Sequence, residues 1–154
     1  MPEGEAIDIS TFDRRHLKRV LEIERASFGR DAWPAEAFLE YRRESPGLFF
    51  VARLGRRIAG YSITRTTGRG AEIDSIAVDP RYRGRGVAQA LLNATRAHVG
   101  DVPLRLMVET ANAPALRFYR QSGFVRTRLV RRYYGPGRDA WRMRLATKAR
   151  SAAR

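Results

Sequence analysis

Val78-Asp79-Pro80-Arg81-Tyr82-Arg83-Gly84-Arg85-Gly86-Val87-Ala88 decides how this chain is read. An apolar run closes at Val78, a turn crowded with Arg and Gly follows, and Val87-Ala88-Gln89-Ala90-Leu91-Leu92 opens a helical pattern. A strand that feeds a glycine-rich turn and then a helix exposes a row of backbone N–H groups. Together with the helix dipole those groups attract anions, phosphates above all. Arg81, Arg83 and Arg85 add positive charge. The stretch reads either as a diphosphate cradle or as a solvated turn before an amphipathic helix, because a lone Gly-x-Gly turn is a weak signal.

Upstream, Ala6-Ile7-Asp8-Ile9-Ser10 alternates as a strand does. Thr11 or Asp13 is placed to cap a helix that carries Leu17, Val20, Leu21, Ile23 and Glu24 and stops near Phe28-Gly29. Trp33-Pro34 opens a second, short helix with Phe38, Leu39 and Tyr41, which Pro46-Gly47 ends. Leu48 to Leu54 and Ile58 to Thr64 form a hairpin around Gly55-Arg56-Arg57, and Ala71 to Val78 is the third strand of this run. Downstream, the helix after the turn ends at Gly100 and a strand runs from Leu104 to Val108. Asn112 caps a helix with Pro114 in its first turn, and Gly123 closes it. Phe124 to Leu129 and Ala140 to Leu145 are strands around the turn Tyr134-Gly135-Pro136-Gly137. The order β-α-α-β-β-β-α-β-α-β-β implies a mixed α/β sheet covered by helices.

The length, 154 residues, suits one domain, expected over 1–147, with a basic tail at 148–154 expected to be disordered. The chain is 44% hydrophobic, so it can bury an ordinary core. It has no Cys, which excludes disulfides, thiolate metal sites and thiol catalysis, and its two His are too few for a zinc site without carboxylates. No metal is expected. The acidic start Met1-Pro2-Glu3-Gly4-Glu5 is unlike a signal peptide, and no apolar run is long enough for a membrane span, so a cytoplasmic protein is expected. The net charge is +14, and 28 of the 30 basic residues are Arg. Such a surplus suits an anionic partner or reflects solvated faces and codon composition. It is steepest from Arg126 to Arg154, with ten basic residues against Asp139 alone.

The turn can be set beside Asn112 and beside Ala115-Leu116-x-Phe118-Tyr119-x-x-x-Gly123-Phe124. This second segment resembles the terminal signature of the GNAT N-acetyltransferase superfamily. The turn matches that family's phosphate motif as Arg83-x-x-Gly86-x-Ala88. The resemblance implies a central sheet of about seven strands, splayed between strands 4 and 5, with helices on both faces and acetyl-CoA as cosubstrate. It places the diphosphate on Arg83, Gly84, Arg85, Gly86, Val87, Ala88 and Gln89, and the pantetheine arm on Ile76, Ala77 and Val78. Asn112 would hydrogen-bond the same arm, or serve as a helix cap alone.

Transfer needs a neutral amine and a proton for the departing thiolate. The resemblance makes Tyr119 the general acid that also meets the cofactor; the bland alternative is a core Tyr. Glu72 sits where one branch of the family has its catalytic Glu, and it equally suits an exposed strand carboxylate paired with an Arg. Another branch carries Glu or His five residues before the Asn, where this chain has Met107. The stretch Arg131-Arg132-Tyr133-Tyr134 with Asp139-Ala140-Trp141-Arg142-Met143 resembles the RimI-like, ribosomal-protein alanine N-acetyltransferase type. Glu109, Tyr133 and Tyr134 are then the acceptor-side candidates. An α-amine, with a pKa of ~7.7–8.0, keeps a far larger neutral fraction at pH 7 than a lysine at ~10.4, so lack of the usual base harms it less. A protein or peptide α-amine is therefore the expected acceptor, with ribosome association open. A small-molecule amine is the alternative within the fold. A non-catalytic acyl-CoA- or nucleic-acid-binding protein is the alternative outside it, although no nucleic-acid-binding signature is visible.

Overall fold

The computed structural model describes residues 6–146, so the expected basic tail at 148–154 and the acidic start lie outside the described residues. The strands are β1 (Ile7–Thr11), β2 (Phe49–Leu54), β3 (Arg57–Thr67), β4 (Gly70–Val78), β5 (Leu104–Glu109), β6 (Phe124–Val130) and β7 (Ala140–Leu145). The α-helices are α1 (Leu17–Phe28), α2 (Ala35–Glu44), α3 (Val87–Val99) and α4 (Ala113–Gln121). The strands hydrogen-bond in the order β1-β2-β3-β4-β5-β7-β6, the seven-stranded mixed sheet expected. The chain divides into two compact units, one of residues up to 66 with 74–100 and one of residues 67–73 with those from 101 on.

In the first unit, β1, β2 and β3 are antiparallel neighbours. Only Gly55 and Arg56 separate β2 from β3, because Arg57 already pairs with Leu54. Also, β3 continues three residues beyond the expected Thr64, since backbone pairing carries its polar end as readily as its apolar one. Successive side chains of β2 point to opposite faces and so enter two separate cores. Phe49 and Val51 join Val20, Ile23, Phe38, Tyr61 and Ile63, with Phe49 stacked on Phe12 at 4.0 Å. Phe50, Ala52 and Leu54 join Ala59, Val87 and Leu91. The cap expected at Asp13 forms: its carboxylate accepts from the Arg15 amide and its own amide donates to His16 Nδ1, starting a 3-10 turn that runs into α1.

In the second unit, β4 runs parallel to β5 only from Ala71–Ile73 against Leu104–Leu106, and the pairing then stops. This is the expected parting of strands 4 and 5. β5 and β6 both pair antiparallel with β7. Leu104, Leu106, Val108, Phe124, Ala140 and Met143 are buried here.

Candidate active site

In the first unit, β4 ends at Val78 and a 3-10 turn over Pro80–Tyr82 precedes Arg83, Gly84, Arg85 and Gly86, all four exposed. Gly86 is the N-cap of α3, with φ 84°, a left-handed conformation that side chains oppose. No side chain caps it, so the first-turn amides of Val87, Ala88 and Gln89 face outward with the positive end of the helix dipole. Val87 is buried and anchors that turn, while Ala88 and Gln89 are half-buried. The approach to the turn is fixed by Asp79, which no motif singles out. Its amide donates to the Ala59 carbonyl at 2.7 Å, and its buried carboxylate accepts from Arg19, from the Arg81 guanidinium at 3.0 Å and from the Arg81 amide at 2.9 Å. These bonds, that from Arg81 foremost, hold the Asp79 carboxyl far below the usual carboxylate range. Arg81 and Arg85 lie 5.6 and 5.5 Å from the Tyr82 ring. Ile76 and Val78 are half-buried and Ala77 is buried. Gly60 lets β3 come close to this strand end: a Cβ there would stand 2.7 Å from the Ala77 carbonyl oxygen and 3.1 Å from Val87.

In the second unit, Asn112 is the N-cap of α4, its side-chain oxygen accepting from the Ala115 amide at 3.2 Å. Two turns on, Tyr119 is buried, edge-on to Phe118 at 5.1 Å and to Phe124 at 5.5 Å. Among the described residues its hydroxyl has no hydrogen-bond partner. Burial, with a smaller contribution from Tyr134, raises this phenol above its ordinary pKa near 10. Glu72 is buried rather than exposed, and an Arg142 nitrogen lies 3.7 Å from its carboxylate. Glu109 is engaged by Arg138 at 2.5 Å. The Arg138 guanidinium also lies 5.6 Å from the Tyr134 ring. Tyr133 and Tyr134 meet edge to face at 4.8 Å, and the Tyr134 hydroxyl donates to the Met107 carbonyl at 3.4 Å. Burial first, then Tyr133 and Glu109, pushes Tyr134 up to about 12.

The register brings arginines to one face of this unit. Glu72 pairs with Arg105, Arg105 with Arg144, and Met107 with Arg142, which pairs in turn with Arg128. Directly paired residues share a sheet face, and so do residues two apart on a strand. Glu72, Met107, Arg105, Arg128, Arg142 and Arg144 are therefore neighbours. No spacing in the sequence announces this cluster, because it depends on the pairing of four strands, β4, β5, β6 and β7. Asp74, in the first unit, accepts from Tyr41 at 2.7 Å and Arg65 at 2.8 Å.

The sequence profile of the acetyltransferase (GNAT) family matches residues 17–124. The chain belongs to that family. This GNAT chain is 36% identical to the N-alpha-acetyltransferase RimI of Mycobacterium tuberculosis over 92% of its own length and 94% of that protein's. An uncharacterized Mycobacterium leprae protein is 38% identical over 92% of this chain, which spans only 41% of that longer protein. The ribosomal-protein-S18-alanine N-acetyltransferase structure from Escherichia coli superposes with a TM-score of 0.80, at 26% identity, covering 94% of this chain and 98% of that one. The structure of Chaetomium thermophilum Naa20 in complex with a bisubstrate analogue superposes with a TM-score of 0.82, at 25% identity, covering 92% and 87%. The chain is thus a GNAT acyltransferase of the RimI-like kind. Among the described residues no helix is long and apolar enough to cross a membrane, and no group of His, Asp and Glu side chains could hold a metal ion.

Proposed function

We propose that this chain transfers the acetyl group of acetyl-CoA to the N-terminal α-amine of a protein or peptide whose following residues are neutral or acidic. The observation that carries the transfer is the buried, protonated Tyr119 in a chain that also has an uncapped glycine turn at Gly84–Gly86. The α-amine as acceptor is supported by the relatives named for that activity. Acetyl-CoA supplies a thioester carbonyl for the amine to attack and a thiolate to leave.

The residues fit that cosubstrate. The exposed turn and the amides of Val87 to Gln89 suit a diphosphate, and Arg83 and Arg85 add cations. The backbone of Ile76, Ala77 and Val78 takes the pantetheine amides in strand fashion. The Asn112 side-chain oxygen is occupied as a cap, which leaves its NH2 to donate to the same arm. Tyr119 gives its phenolic proton to the thiolate as the carbon–sulfur bond breaks, and regains it from solvent. Burial keeps that proton in place at working pH. Glu72 receives the amine proton through water. Glu109, held by Arg138, and the Tyr133–Tyr134 pair bound the acceptor peptide.

The peptide's charge follows from the face that carries Glu72. Its carboxylates are answered, Glu72 by Arg142 and Glu109 by Arg138, while Arg105, Arg128 and Arg144 add positive charge. A basic peptide meets repulsion there and an acidic one attraction. The test is CoA release with peptides of free N-terminus, each paired with its N-acetylated twin carrying an internal Lys. Release only with free N-termini, at lower KM for acidic sequences, is the expected result. Release with small amines but with no peptide defeats the proposal. Glu72→Gln is expected to move the pH–rate profile to higher pH, and an unmoved profile removes Glu72 as the proton acceptor.

A further inference from the structure

The first unit contains a cavity of about 490 Å³ lined by none of the residues assigned to acetyl transfer. That volume lies within the ~300–1,000 Å³ of ordinary small-molecule sites. Its charged walls are Arg15, Arg42 and Arg53 against the single carboxylate of Asp13, with the buried His16 between the end of β1 and β2. Asp13 is committed to its own turn, accepting from the Arg15 amide at 3.0 Å, with the Arg15 guanidinium 3.7 Å away. Among the described residues neither Arg42 nor Arg53 forms an ion pair. Asp8 stands opposite Arg53 in the β1–β2 ladder, but it is exposed and does not line the cavity.

His16 supplies the second observation. Burial, then the charges of Arg53 and Arg15, lowers its pKa below the ordinary 6.5, so the imidazole is neutral at pH 7. Its Nδ1 accepts from the Asp13 amide at 2.9 Å, so the one ring proton sits on Nε2. That Nε2 lies 2.9 Å from Arg53 Nη2. Both groups are donors, so neither satisfies the other. An oxyanion placed against the pair accepts from both, and the Arg42 guanidinium, which also lines the cavity, offers a charged fork.

We infer that this cavity binds a small phosphorylated molecule, with its phosphate held by Arg53, Arg42 and the Nε2–H of His16. The site is independent of the acetyl-transfer assignment and stands or falls without it. The test reads the imidazole signals of His16 by NMR, with His98, the only other histidine, as the internal control. The protein is first saturated with CoA, so that the amides from Gly84 to Gln89 cannot answer for phosphate binding. Pyrophosphate and glucose 6-phosphate are then titrated, with glucose and with sodium chloride at matched ionic strength as controls. The expected result is a His16 ring in the Nε2–H form whose signals move saturably with either phosphate while His98 stays still. Arg53→Gln and Arg42→Gln should each raise the dissociation constant about tenfold or more, as loss of a charge-assisted hydrogen bond does. Should Arg53→Gln fail to fold, Arg42→Gln decides alone. A shift reproduced by sodium chloride, no saturable shift, or phosphate affinity unchanged in the variants overturns the inference.

Discussion

Tyr119→Phe separates chemistry from packing with little ambiguity. The ring is buried between Phe118 and Phe124, and phenylalanine keeps the same shape and both edge-to-face contacts. The hydroxyl it deletes has no hydrogen-bond partner among the described residues, so no buried group is orphaned. The change in folding stability is therefore expected to stay within about 1 kcal/mol, a shift of a few degrees at most in the thermal midpoint. A positioned general acid contributes about 10²–10⁴ in rate, which corresponds to about 3–5 kcal/mol of barrier. The variant should accordingly lose two to four orders of magnitude in kcat while its dissociation constant for acetyl-CoA stays within about threefold. Burial also lifts the phenol above its ordinary value near 10, so any loss of wild-type rate from Tyr119 ionisation begins above pH 10. The assay is CoA release under saturating acceptor, with acetyl-CoA affinity by calorimetry and folding by thermal melt. A kcat within threefold of wild type would refute the acid role, since the thiolate would then be taking its proton from water. An affinity loss as large as the rate loss would make Tyr119 part of the cofactor's packing instead.

Tyr61→Phe leaves the buried Glu24 carboxylate with only the Trp33 amide at 2.9 Å, and a lost hydrogen bond to a charged group costs about 1.5–3 kcal/mol; urea unfolding should show a lower midpoint at unchanged slope. Gly60→Ala sets a Cβ 2.7 Å from the Ala77 carbonyl oxygen, a backbone atom that cannot turn aside, so about 1–3 kcal/mol of stability and some acetyl-CoA affinity should go together; a variant of wild-type stability would show that β3 and β4 have room to spare. The depressed pKa of His16 makes the unfolded chain bind the proton first, so its contribution to stability is whole above about pH 6.5 and is lost as pH falls below that; His16→Gln should flatten the wild-type slope of stability between pH 7.5 and 5.5.

The order of strands and helices was legible because each element carries its own period and its own punctuation. β7 begins and ends where the Gly137 turn and the alternation from Ala140 to Leu145 imply, and Asn112 caps α4 as its residue type requires. What could not be read are partners far apart in sequence. Glu24 falls at a helical, core-facing position, but its partner Tyr61 lies 37 residues on, on another element. Arg81 lies outside the phosphate motif Arg83-x-x-Gly86-x-Ala88, and its side chain is 62% exposed, yet it holds Asp79 jointly with Arg19, 60 residues from that carboxylate. Glu72 and Glu109 carried candidate roles in the sequence, whereas Arg142 and Arg138, which set their electrostatics, were lost among 28 arginines. In an Arg-rich chain residue type alone gives no reason to prefer one Arg over another; only the pairing of strands does.

That pairing also bears on the acceptor. Arg105 faces Arg144 directly across the β5–β7 ladder, and Arg142 faces Arg128 across β7–β6. Like charges set opposite one another in a sheet cost stability, on the order of 0.2–1 kcal/mol per pair. Glu72 relieves part of this repulsion through Arg142, and the rest is carried by solvent and counterions. A carboxylate arriving on an acceptor peptide would discharge the same repulsion, so binding it recovers free energy that the folded protein has already spent. A basic peptide would add to the strain on the face. Because these arginines are half-buried or exposed, salt screens them, with a Debye length of about 8 Å at physiological ionic strength. The preference for acidic over basic peptides therefore belongs to KM rather than kcat and should shrink as salt rises. A preference that resides in kcat or survives high salt would have to come from contacts to the first residue of the peptide, not from this face.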